Sequence, residues 1–424
     1  MRLALTKKPF VAQSLALSVA ALMMTTTHAA TKEQQELAQL RAEVAELKAL
    51  MQQQQQVQQQ QAVQIQQVKA QPVPPAKPES ALSSFKSKSG ADINLYGFVR
   101  GDANYIIEGA DNDFNGVHTS TGGTKDKLRA TAKTTRLGLD FNTNVGADNK
   151  LGGKVEVDFA GSTTDSNGAL RIRHAYLTYN NWLFGQTTSN FLSNHAPEMI
   201  DFGTNVGGGT NRLPQVRYGF NLAPATKLFI SAEEGDSSGT NIKYSVPNLT
   251  AKLTQGFADG KGSLSARALV ENYKSANDSD TAWGLAAGVN YQVMDPLKLS
   301  ADVSYVDGNS NYLYGSNAAY VVNTANNKIA QNEAFAVQVG GTYKFNEKLR
   351  STLAYGALFA DDGTDYATLN PTANEEVYQA WINFIYSPVK PLDLGVEYIN
   401  GKRDTFAGNS YKDNRVGLMA KYSF

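Results

Sequence analysis

The chain has 424 residues, with 39 basic side chains against 39 acidic, no cysteine, 36 glycines and 10% aromatics. Zero net charge leaves no footprint for nucleic acid, which calls for a clustered basic excess, and the lack of cysteine excludes disulfides and thiolate metal ligands. Beyond the N-terminus no window approaches the about eighteen apolar residues of a membrane helix, while a mean hydropathy of −0.36 still suits membrane strands, in which alternation halves the hydrophobic signal.

Residues 1–29 read as a secretory signal: Arg2, Lys7 and Lys8 lead an apolar run over 10–24, and Thr27-His28-Ala29 is a small-x-small cleavage site. Without a cysteine there, a lipoprotein is not expected. Over 32–70, Leu37, Leu40, Val44, Leu47 and Met51 step alternately by three and four, and the register continues through Gln54, Gln58 and Gln61 to Ile65 and Val68. This is a coiled-coil seam with a polar middle, and so narrow a stripe needs a partner, here copies of itself. A solvated helix or a Gln-rich spacer is the alternative. Residues 71–90 form a linker, stiff where it is Pro-rich and looser where it is Ser-rich.

Residues 91–424 alternate as strands. Leu137, Leu139 and Phe141, then Val155, Val157 and Phe159, then Val216, Tyr218 and Phe220 are interleaved with polar or small residues. Short turns alternate with long loops at 106–132, 160–169, 188–212, 235–248, 274–280, 307–332, 360–375 and 402–413. About sixteen antiparallel strands follow, an all-β transmembrane barrel. The last strand sets Phe424, Tyr422 and Leu418 outside and Lys421 and Arg415 inside, and it must pair with the first strand, around 94–105, because an open edge does not survive in lipid. Phe141, Phe220, Tyr291, Phe345, Tyr386 and Phe424 fall at turn ends, and Tyr105, Phe159, Tyr305, Phe359 and Tyr398 at loop ends, as two aromatic girdles would.

Signal, Gln-rich coil, Pro-rich linker and a barrel opening with Leu95-Tyr96-Gly97-Phe98-Val99-Arg100 together resemble the DcaP-like porins of Gram-negative bacteria. The segment 170–176, followed by Phe184-Gly185-Gln186, is similar to the strand pair before the constriction loop in a wider group of porins. The resemblance implies an outer-membrane homotrimer of sixteen-stranded barrels, a periplasmic coil, and passive diffusion of small anions, dicarboxylates in particular. The lipid of the outer membrane and these anions are then its partners, and no cofactor, metal or catalytic residue is expected.

Sixteen strands leave a channel unless loops enter it. The loop 188–212, with His195, Glu198, Asp201, Arg212 and glycines at 207–209, is the candidate constriction, although 106–132 and 307–332 are equally long. Arg100, Arg136, Lys154, Arg171, Arg173 and Arg217 fall on inward faces and are the candidate anion-binding residues. A guanidinium meets a carboxylate with two parallel hydrogen bonds and stays charged at every relevant pH. The alternative is that they pair with Asp102, Asp140, Glu156 and Asp158 and only brace the wall, in a general or structural barrel without anion selectivity. In strand 170–179, Arg171 and Arg173 share a face with Leu177, which requires a bulge or a pore-facing leucine. A surface hydrolase is the remaining class. His118 and His195 fall in loops, however, and His174 reads as a lipid-facing girdle residue beside Tyr176 with no serine nucleophile motif.

Overall fold

The computed structural model describes residues 84–424 apart from 162–167, 194, 210 and 236–241. The expected signal segment, the coil over 32–70 and the linker as far as residue 83 lie outside the described residues.

Sixteen antiparallel strands close into one barrel. They are β1 (Asp92–Gly109), β2 in two pieces (Thr124–Thr131 and Arg136–Val145), β3 (Asn149–Asp158), β4 (Arg171–Tyr179), β5 (Trp182–Thr188) and β6 (Arg212–Ala223). There follow β7 (Thr226–Glu233), β8 in two pieces (Lys243–Tyr244 and Asn248–Phe257), β9 (Gly262–Lys274), β10 (Ser279–Met294) and β11 (Leu297–Asp307). The last are β12 (Glu333–Lys344), β13 (Leu349–Ala360), β14 (Asn374–Val389), β15 (Leu392–Thr405) and β16 (Ser410–Ser423). Closure runs through β1 and β16, with Val99 opposite Tyr422, Arg100 opposite Lys421 and Tyr105 opposite Val416.

The alternation is as expected at this seam: Val99 is 57% and Leu418 52% exposed, while Arg100 is 4% and Arg415 0%. Tyr105, Phe220, Tyr291, Phe345, Tyr386, Tyr398 and Phe424 stand out on the outer surface. Trp182 and Tyr218 join them, their rings 4.7 Å apart.

Several expected loops are shorter than their polarity suggested. The segment 402–413 is mostly strand, with Lys402 opposite Lys412 and Asp404 opposite Ser410. The first loop is 110–123, because β1 runs to Gly109 and the first piece of β2 begins at Thr124. These strand ends stand beyond the apolar band, where both faces meet water, so the pairing continues after the hydrophobic alternation stops.

Of the two alternatives for strand 170–179, the bulge is present. Between β3 and β4, Glu156 faces His174 and Val157 faces Ile172, so Arg173 is the extra residue. Arg171 and Arg173 therefore both turn inward while Leu177 stays outward, 44% exposed. The same shift corrects the placing of His174. Its side chain is turned inward, with Nδ1 at 2.9 Å from the Thr187 hydroxyl and Nε2 at 3.8 Å from Glu156.

Three loops fold into the mouth of the barrel. Val117 from 110–123, Phe191, Leu192 and Val206 from 189–211, and Tyr312 and Leu313 from 308–332 form one buried cluster with inward wall residues Leu269, Val306, Leu358 and Val377. A buried side chain of this kind contributes about 1.5–3 kcal/mol, against about 1 kcal/mol net for a hydrogen bond. Apolar packing therefore holds the loops in, and hydrogen bonds set where each residue sits.

Candidate functional site

The segment 189–211 lies along the inner wall in two legs. On the outgoing leg, the Leu192 carbonyl accepts from Lys252 on β8 at 3.3 Å and the Phe191 carbonyl from Arg267 on β9 at 3.0 Å. His195 Nδ1 is 3.9 Å from Asp302 on β11. Burial, with Arg267, Lys252 and Lys298 nearby, pushes the imidazole down to about 4, so it is neutral near pH 7. Farther on, Glu198 binds Arg350 on β13 at 2.8 Å, and its carbonyl accepts from Trp381 Nε1 at 3.1 Å and Asn383 Nδ2 at 3.0 Å, both on β14.

At the tip, Glu397 on β15 accepts the main-chain N–H groups of Ile200 and Asp201, each at 2.9 Å. Arg100 on β1 donates to the Ile200 carbonyl and holds Asp102 with Nε at 2.9 Å and Nη2 at 2.6 Å. Asp201 is fully buried and accepts N–H from Asn115 at 2.8 Å and Gly203 at 2.7 Å. Burial pushes its carboxyl up to about 6.

The return leg runs one step nearer the loop end of the wall. Val206 N–H reaches Gln379 at 3.3 Å, and the Val206 carbonyl accepts from Gln338 at 3.1 Å. Gly356 on β13 lets this leg lie flat, since a Cβ there would strike the Val206 carbonyl oxygen. Gly207 has a φ of 81°, and a Cβ on it would strike the Val337 carbonyl. Both are close backbone approaches that need glycine.

These contacts run along β8, β9, β11–β15 and β1, whereas the arginine cluster is on β2, β4 and β6. Arg171 holds Asp158 with Nη2 at 2.6 Å and Nε at 2.9 Å. Arg173 bridges Glu156 at 2.7 Å and Asp158 at 3.0 Å. Arg136 stacks 5.0 Å over the Phe98 ring and is 3.5 Å from Glu156, but its Nε has no hydrogen-bond partner. Arg212 is the first residue of β6, paired with Thr188, and so belongs to the wall rather than to the loop in which it was expected. It feels the charges of Arg173, Arg136, Arg171 and Glu156. Among the described residues it has no ion-pair partner, and its Nε is buried and unbonded.

The other predicted residues are engaged elsewhere, Lys154 reaching the cluster only through Tyr96, whose hydroxyl donates to Glu156 at 2.8 Å. Arg217 donates to Gln215 at 2.9 Å and to the Thr188 carbonyl. Lys154 is held by Asp140 at 3.1 Å and the Tyr96 hydroxyl at 3.0 Å. Arg100 is spent on Asp102 and the loop.

Residues 23–424 match the DcaP outer membrane protein family. The crystal structure of the outer membrane channel DcaP of Acinetobacter baumannii is similar at 74% identity, with a TM-score of 0.78, over 81% of this chain and 100% of that one. The chain belongs to the DcaP outer membrane protein family. With this barrel, a DcaP-family chain is an outer-membrane porin. Two distant porins share the fold. The anion-selective porin from Comamonas acidovorans is 12% identical with a TM-score of 0.55, over 79% of this chain and 100% of that one. The trimer form of OmpT from Vibrio cholerae is 14% identical with a TM-score of 0.52, over 79% and 99%. No curated protein matches the chain.

What sequence reasoning missed in this DcaP-family porin is the set of wall residues that hold the loop: Gln338, Gln379, Trp381, Asn383 and Glu397. A signal for it does exist in the later strands, which carry apolar residues on both faces. Inward Leu269, Leu358, Ile385 and Ile399 stand beside outward Val270, Phe359, Phe384 and Tyr398. In a water-filled barrel, an inward apolar position calls for something to cover it.

Proposed function

We propose that this porin passes small, mainly anionic solutes, dicarboxylates among them, along the wall of β2, β4 and β6, opposite the folded-in loop. The observation that carries this reading is the surplus of charge in the arginine cluster. Among the described residues, Arg136, Arg171, Arg173 and Arg212 surround only Glu156 and Asp158, and Arg212 has no acid of its own. The carboxylates hold the cluster in place, and the remaining guanidinium groups offer a dianion weak exchange sites, which suits conduction better than one tight site. On this reading residues 1–29 are removed on export, residues 32–70 coil in the periplasm, and the chain assembles as a homotrimer through that coil and its barrels.

The test is a planar bilayer under a tenfold KCl gradient. A reversal potential on the chloride side, with current interrupted by succinate, supports anion passage. A potassium-side value removes it, and no conductance at all favours a structural barrel.

A further inference from the structure

Above the constriction, on the loop-covered side, Glu233 and Glu271 are each 1% exposed. Asn248 pairs with Glu233 across β7 and β8, and the Leu249–Val270 register across β8 and β9 sets Asn248 opposite Glu271. The two carboxylates therefore flank one carboxamide, with Cβ atoms about 5 Å apart at each step. Glu233 accepts from the Asn190 main-chain N–H at 3.0 Å, the Thr250 hydroxyl at 2.6 Å and the Tyr312 hydroxyl at 3.2 Å. Asn248 Nδ2 donates to the same Tyr312 oxygen at 3.3 Å, and Asn309 Nδ2 donates to Glu271.

The other ends of these carboxamides are unsatisfied. Asn248 Oδ1, Asn309 Oδ1 and both side-chain polar atoms of Asn190 have no hydrogen-bond partner, although the three residues are only 2%, 1% and 1% exposed. Each of the three residues also grips the cluster, Asn190 through its main-chain N–H and Asn248 and Asn309 through Nδ2, so the unsatisfied atoms are buried beside it. Among the described residues no cation lies within ion-pair distance of Glu233. Arg217, whose charge it feels, is committed to Gln215 and Thr188.

We propose that Glu233, Glu271, Asn190, Asn248 and Asn309 form a calcium-binding site that ties the segments 189–211 and 308–332 to the barrel wall. Two carboxylates and three carboxamide oxygens, with no nitrogen or sulfur donor, form a hard set suited to an ion that takes 6–8 oxygens in flexible geometry. Magnesium keeps its water and demands a strict octahedron, which this enclosed cluster does not supply. The site is independent of which solute the channel passes.

The test is calorimetric titration of the purified full-length channel with CaCl2 after chelator treatment, with thermal melting in parallel. One calcium per protomer is expected, in the roughly 10⁻⁴–10⁻³ M range of extracellular sites, together with a higher melting temperature. Glu233→Gln combined with Glu271→Gln abolishes both effects. Asn309→Ala keeps both carboxylates and weakens binding about tenfold, and it decides the matter alone where the double variant fails to fold. Asp361→Asn, in an exposed acid elsewhere, leaves binding unchanged. The proposal is overturned by a folded wild-type channel that takes up no calcium at about 10 mM, well above that range, or by undiminished binding in either site variant.

Discussion

The two sides of the lumen solve opposite problems. From β1 to β4 the inward face is charged, with Arg100, Asp102, Arg136, Asp140, Lys154, Glu156, Asp158, Arg171 and Arg173, and nearly every charge has a partner in the wall. From β9 to β15 much of the inward face is apolar or carboxamide, and three loops cover it. A charged wall can face water and solute; an apolar wall must be buried. On the proposed path, the folded-in loop is therefore held by the side of the barrel that solutes do not use.

The largest way to break this contrast is to evict the loop from its wall. Gly356→Val sets a branched side chain where the Val206 carbonyl lies, and the return leg has nowhere to go. Single-channel conductance is expected to rise severalfold while the barrel stays folded; unchanged conductance means that the loop does not narrow the passage.

Next comes the charged wall itself. Arg136→Ala with Arg212→Ala removes the two guanidinium groups of the cluster least engaged by acids, so the reversal potential is expected to move toward the potassium side with little loss of stability. Arg100→Ala is the contrasting variant. It strands the buried Asp102, costing about 3–5 kcal/mol as breaking a buried pair does, and is expected to lower the melting temperature and leave selectivity nearly intact. A selectivity change as large in Arg100→Ala as in the double variant would erase the distinction between bracing and solute-binding arginines.

A smaller effect separates the tip of the loop from its outgoing leg. Asp201 is raised by burial from 3.8 to about 6, so the buried form prefers its proton. Its contribution to loop stability grows as pH falls through about 6 and is complete below its ordinary value. His195 is lowered by burial from 6.5 to about 4, so its contribution is complete above the ordinary value and lost as pH falls toward 4. Over the same acid window the tip tightens and the outgoing leg loosens. Melting between about pH 7 and pH 5 is then expected to favour acid in His195→Gln relative to wild type and to disfavour it in Asp201→Asn. Parallel shifts in the two variants would contradict this assignment.

The smallest test is Trp381→Phe. It removes the donor to the Glu198 carbonyl but keeps an aromatic ring in place. A loss of about 1 kcal/mol and added open-channel noise are expected, without a change in selectivity.

The barrel was legible because its physics is local. Alternation with a period of two, turn spacing and sorted aromatics place the strands of a closed sheet one at a time, down to the Leu177 inconsistency that the bulge at Arg173 resolves. The inward arginines were legible for the same reason. So were the acids that hold them, Asp102, Glu156 and Asp158, whereas Arg212 read as a loop residue because strand pairing, not hydrophobicity, continues past the apolar band. Only the tertiary structure decided which loop enters the lumen and where it rests, because Glu397 meets Ile200 and Gln379 meets Val206 across nearly two hundred residues. Local periodicity carries no information about such contacts. The chain by itself determined a sixteen-stranded barrel with a basic inner face, and folding determined which of those charges remain for a solute, because that depends on which acids closure and the bulge bring beside them.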